Sequence, residues 1–221
     1  MEAVGRGLGF RSYAAPLAAS KQPAPPVAVV TGAAFSGYLL EHGSQSEPAH
    51  FYRAAASIAI RGALDTIPKL HIDGIGIGRP QRCADGTWQT SQQQYADFLE
   101  HRQECLGLNA TEAFLRSLAL LARIKKTKTI RLGTNSYRLK HIAENYASTY
   151  PEGGRLGPGY VPNGMLIAAA VHMGFYYRTY VDHFGRDAPN TNFNMSKTSI
   201  DDLDAEIRGF VHGCNRRRRL A

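Results

Sequence analysis

Three stretches in the second half of the chain repeat apolar residues at the spacing of a single helix face. Phe114, Leu115, Leu118, Leu121 and Ala122 form the first. Leu139, Ile142, Ala143 and Tyr146 form the second, and Leu166, Ile167, Ala170 and Val171 the third. An apolar helix face must be buried against another element, so residues 111–210 are expected to fold as packed helices. Asn109 or Thr111 is placed to cap the first helix. Phe114 stands where a capping box needs an acid or amide. Thr134, Asn135 or Ser136 opens the second helix, which runs to about Ser148. Asn163 caps the third, and Gly174 ends it. FYYRTYV, 175–181, reads as a strand. Thr198 or Ser199 opens a last helix through Gly209, with Asp201 and Asp202 at its positive end.

The first half has a different texture. Residues 1–26 lack periodicity and end in a Pro-rich run, which predicts a flexible leader. A short apolar strand follows at 27–30. Residues 49–65 have Phe51, Ala55, Ile58 and Gly62 on one helical face. DGIGIGRP, 73–80, has Gly at alternate positions, which keeps one side of an extended segment bare for a close neighbour. Asp85-Gly86 lies between short extended runs and predicts a hairpin, with Trp88 covering one side. Residues 91–106 read as a helix. The fold class is therefore α+β, with a hairpin-containing N-terminal portion at 27–110 and a helix-dominated portion at 111–210. A basic tail at 211–221 completes the division. The sequence of helix, connector, helix and extended segment is compatible with a modified helix-turn-helix.

Charge is distributed very unevenly. The window 113–143 holds Arg116, Arg123, Lys125, Lys126, Lys128, Arg131, Arg138 and Lys140 and no acid. Elsewhere 18 basic residues balance 18 acidic ones, so this window accounts for the whole net charge of +8. Concentrated positive charge favours a polyanionic partner. Asn135 and Tyr137, at the start of the second helix, would add polar contacts to phosphate, and Arg216, Arg217, Arg218 and Arg219 form a second basic cluster. The expected function is non-catalytic nucleic-acid binding. The alternative is an inhibitor or assembly factor, of anti-defence type, that docks its basic face on an acidic protein or a nucleoprotein.

Enzyme signatures are weak by comparison. VVTGAAFSG, 29–37, has Ser36 where a dinucleotide-binding turn needs Gly, and the Gly-rich 73–80 segment lacks a following GK[ST]. His71 with Asp73, and Asp182 with His183, are pairs that could join a metal or nuclease site, but spacing alone does not bring them together. The expectation is no catalytic residue, no metal and no cofactor. Three cysteines without a CxxC pair argue against a disulfide framework or a thiolate zinc site. No apolar run is long enough to span a membrane, and the N-terminus lacks a secretory apolar core, so no membrane partner and a cytoplasmic location are expected.

IKKTKTI, SYRLKHIAENY, YVPNGMLIAAAVHMGF and PNTNFNMS together carry a resemblance. Residues 112–200 resemble an uncharacterised C-terminal pattern in proteins borne by bacterial phages and plasmids. That resemblance implies a mobile-element origin and a DNA-binding accessory or anti-defence role, with no activity to transfer.

Overall fold

The computed structural model describes residues 2–12, 14–15, 32–182 and 185–218, with side chains described as far as residue 209. The expected strand at 27–30, most of the leader, His183 and Arg219 lie outside the described residues. The described chain is α+β and helix-dominated, with eight helices and two small antiparallel strand pairs. It divides into two compact units, one of Met1–Ala56 with Thr149–Arg155, the other of Ser57–Ser148 with Leu156–Ala221.

In the smaller unit, helix α1 (Glu2–Gly7) occupies part of the expected flexible leader and buries Ala3, Gly5 and Gly7. Gly7 lies against the Phe51 ring, where a Cβ would come within 2.6 Å of a ring carbon. Small residues allow this approach without producing an apolar stripe, which is why periodicity missed it. Helix α2 (Gly32–Glu41) begins inside the segment weighed as a dinucleotide turn. Its first N–H groups are already taken: Gly32 donates to Tyr52 Oη at 3.1 Å and Ala33 to Glu152 Oε1 at 2.9 Å. The Tyr52 hydroxyl also donates to Glu152 Oε1, at 2.8 Å. An internal carboxylate thus stands at this positive helix end.

Helix α3 (Pro48–Thr66) forms as expected, but its inward face is rotated. Phe51 of the expected row is buried, but it is joined by Tyr52, Ala56, Ile60, Ala63 and Leu64, while Ile58 is exposed. This row gathers more bulky apolar surface than the expected one, and burial follows area. In the larger unit, β1 (Leu70–His71) and β2 (Gly74–Ile75) pair antiparallel across a two-residue turn, Ile72-Asp73. The alternating glycines do what their spacing predicts. A Cβ on Gly74 would collide with the Pro189 carbonyl, and one on Gly76 would lie 2.7 Å from Asp187 Cβ. The Asp85-Gly86 turn also forms. Its Asp85 Oδ1 accepts the Thr87 N–H at 2.9 Å, and Arg82 bridges to Trp88. Trp88 is 62% exposed under the Arg82 guanidinium and does not cover the hairpin.

Helix α4 (Ser91–Glu104) starts with a complete capping box between Thr90 and Gln93. Helix α5 (Leu108–Leu121) starts after Gly107, not at Asn109 or Thr111. The Thr111 hydroxyl instead donates back to the Gly107 carbonyl at 3.0 Å. Helix α6 (Ser136–Asn145) is capped by Asn135, whose Oδ1 accepts the Arg138 N–H at 2.8 Å. Helix α7 (Asn163–His172) follows Pro162, and the Asn163 side chain turns away to other loops. Met165 through Ala170 are all buried, so α7 lacks the single core face its sequence suggested. The intervals 122–135 and 146–162 separate α5 from α6 and α6 from α7, in place of three-residue turns.

β3 (Tyr177–Arg178) pairs with β4 (Asn192–Phe193). On the other side of β4, Asn192 bridges to Asn135 and Met195 to Lys126. The expected strand at 175–181 is thus mostly irregular. Helix α8 (Lys197–Arg218) continues past Gly209, and Ser196 Oγ accepts the Ser199 N–H at its start.

Leu139 is completely buried on α6. Replacing it with Ala removes packed methyl groups that the neighbours cannot fully refill. Urea denaturation should show about 2–5 kcal/mol of lost stability.

Candidate functional site

The acid-free window folds into two helices and a connector, and most of its cations acquire partners from elsewhere in the chain. On α5, Arg116 Nε donates to the Leu156 carbonyl at 2.6 Å and its terminal nitrogens reach the Tyr160 carbonyl and Glu112. Arg123 forms a two-pronged pair with Glu206 of α8 at 2.9 and 2.7 Å. On α6, Arg138 spans Asp201 and Asp204 of α8 at 2.8 and 3.0 Å. Lys140 is buried, with its ammonium 3.0 Å from Glu144 and over the rings of Tyr160 and Tyr137. Lys126 donates to the Met173 carbonyl at 2.6 Å and lies over the Phe175 ring.

Lys125, Lys128 and Arg131 differ. All three are exposed, and none makes an ion pair with a described residue. Their backbone is held firmly. Thr127 N–H donates to the Asn194 carbonyl at 2.7 Å, Ser196 N–H to the Lys125 carbonyl at 2.8 Å, and the Thr127 hydroxyl to the Thr129 carbonyl. Asn135 is engaged as a cap, and Ser136 N–H donates to the Thr191 carbonyl, so the start of α6 offers phosphate fewer free donors than its sequence suggested. Tyr137 is exposed, edge-on to His141. Arg216, Arg217 and Arg218 fall on α8, beyond the described side chains.

A second site stands on the hairpin side of the larger unit. A cavity of about 550 Å³ is lined by His71, Asp73, Arg79, Asp97, Phe98, His101, Asp182, Arg186 and Asp187 among others. Sequence pairing had linked His71 to Asp73 and Asp182 to the undescribed His183. The structure brings His71, Asp73 and Asp182 to one cavity and adds His101 from the last turn of α4. The His101 Nδ1 to Asp73 Oδ2 distance is 3.1 Å, and the His71 Nδ1 to Asp73 Oδ2 distance is 3.9 Å. Burial lowers the His71 pKa, opposed by the Asp73 charge, which favours a neutral ring. Arg79 pairs with Asp182 at 3.3 Å, and Lys69 with Asp187 at 2.6 Å. Cys105 is also buried in this unit, and burial pushes its thiol up to about 12, so it is an inert packing group. His101 carried no sequence signal, because nothing in local spacing links a helix end to a turn so far upstream.

No protein-family model matches the chain, and no curated protein or solved structure shows significant similarity to it. Among the described residues, no helix is long and apolar enough to cross a membrane.

The pairing of cations with acids on α8 has a pH signature. The Arg138 hydrogen bond holds the Asp201 carboxyl below its ordinary range, and the Arg123 bond does the same for Glu206. Burial opposes ionisation of Asp204, yet Arg138 and Arg208 outweigh it and the net shift is downward. Such groups bind protons more readily in the unfolded chain. Their stabilisation is present above the unfolded values, near pH 4, and is lost as pH falls through the lower folded values. Thermal melts from pH 6 to 2.5 should therefore lose stability on the acid side, and Arg138→Gln should flatten that slope.

Proposed function

We propose that the protein binds nucleic acid without catalysis, through the exposed connector bearing Lys125, Lys128 and Arg131, as an accessory factor of a bacterial mobile element. One observation carries this reading. The five other cations of the window, Arg116, Arg123, Lys126, Arg138 and Lys140, have intramolecular partners, whereas these three stay exposed on one backbone-anchored segment and make no ion pair with a described residue. An anchored segment presents its charges without the entropy cost of ordering a loose loop on binding. Exposed Tyr137 stands at the start of the next helix and offers a ring face for an unstacked base.

The reading narrows the phosphate-contacting set from eight window cations to three. With about three phosphates neutralised, log affinity should fall with log salt at a slope of roughly −2 to −3. Replacing Lys125, Lys128 and Arg131 together by Gln should leave the melting temperature nearly unchanged, since exposed charges add little to folding. The same variant should weaken binding to a fluorescent oligonucleotide and flatten the salt slope. Fluorescence anisotropy across a salt series reads both. An unaltered affinity overturns the assignment. Lys126→Gln is the contrasting variant, because it removes the ammonium from the Met173 carbonyl and should act on stability.

A further inference from the structure

We propose that His71, Asp73 and His101 form a binding site for a divalent first-row transition-metal ion whose remaining coordination positions open into the 550 Å³ cavity. This site is independent of the connector surface.

One donor atom from each residue lies within 4.8 Å of the other two. Nitrogen and oxygen ligands sit about 2.0–2.2 Å from such an ion, which places neighbouring donors roughly 3–3.5 Å apart. The His101–Asp73 distance of 3.1 Å already meets that requirement, whereas His71 Nδ1 lies 3.9 Å from the Asp73 carboxylate and accepts the Asp73 N–H at 3.3 Å, a bond that the ion would displace. Two imidazoles and one carboxylate, with open positions, suit Fe(II), Co(II) or Zn(II), whereas Mg²⁺ and Ca²⁺ favour all-oxygen sets.

The scaffold under the three ligands is fixed before any ion arrives. Asp73 sits in the two-residue turn of the β1–β2 hairpin. That turn is tied to α4 by the Ile72 N–H, which donates to the His101 carbonyl at 3.1 Å. The Asn163 amide donates to the Asp73 carbonyl at 3.3 Å and to the Pro189 carbonyl at 3.0 Å. The Arg102 guanidinium, next to His101, donates to the carbonyls of Leu64, Pro68 and Leu70. The His71 ring packs edge-on to the Phe98 ring, with centroids 5.8 Å apart. Exposure is graded towards the cavity, with the His71 side chain 10% exposed, His101 41% and Asp73 59%. An ion held here is anchored on one side and open on the other.

The test uses tag-free full-length protein stripped with a chelator, so that no added histidines compete. Co(II) titration followed by visible absorption, and Zn(II) titration by calorimetry, should each saturate at one equivalent. Zn(II) should also raise the melting temperature. Asp73→Asn and His101→Ala should each weaken binding by more than about tenfold and abolish the thermal shift. Asp73→Asn preserves side-chain shape at an exposed position and keeps the test valid should His101→Ala fold poorly. Absence of a saturable Co(II) signal overturns the proposal. So does undiminished binding in Asp73→Asn, which would place the ion on other histidines and leave His101 and Asp73 as a simple ion pair.

Discussion

Helix α7 has no solvent-facing side over Met165–Ala170, and its burial dictates where its surroundings can lie. A run of Ala168, Ala169 and Ala170 lets neighbours approach closely, and Gly164 carries this to its limit. Any Cβ at Gly164 would overlap the His71 carbonyl, and the Gly164 N–H donates to the Ile72 carbonyl at 2.9 Å. The start of α7 is thereby docked onto the same turn that holds Asp73. Asn163, one residue earlier, ties that turn to the 189–190 loop through the Asp73 and Pro189 carbonyls and Asn190 Oδ1. Packing of one apolar helix and positioning of the polar cluster are parts of a single arrangement.

A second constraint comes from segment 192–196. Its backbone accepts and donates on both sides, to 176–178 on one and to the 125–135 connector on the other. Thr134 reinforces the seam, since its hydroxyl lies between the Arg131 and Phe193 carbonyls and also accepts the Phe193 N–H. The connector is therefore an ordered edge although it contains little regular strand. Acids of α8 then meet Arg123 and Arg138, so a charge excess concentrated in one window of the sequence becomes three exposed cations beside five that have partners.

The helices of the second half were legible because apolar spacing survives in sequence, and so was a polar cap among Thr134, Asn135 and Ser136, because a short polar side chain at a helix start has a defined partner; the fold selects Asn135. The alternating glycines of 74–76 were legible as a close approach, although the residues that approach, Asp187 and Pro189, were not. Three kinds of information were absent from local pattern. The rotated face of α3 depended on which apolar row found neighbours. The burial of α7 on all sides depended on tertiary packing. The neutralisation of Arg116, Arg123 and Arg138 depended on partners 4 to 83 residues away in sequence. The cavity cluster shows the same limit, since His71 and Asp73 are visible as a pair whereas His101 joins them only through the fold.

Trp88 is the chain's sole tryptophan and already lies largely in water, stacked beneath Arg82 beside Gln89 on the cavity rim. Its emission is consequently a poor gauge of global unfolding, because the indole passes from one aqueous setting to another. The same placement makes it an intrinsic optical reporter of the hairpin, sensitive to anything that shifts the guanidinium above it.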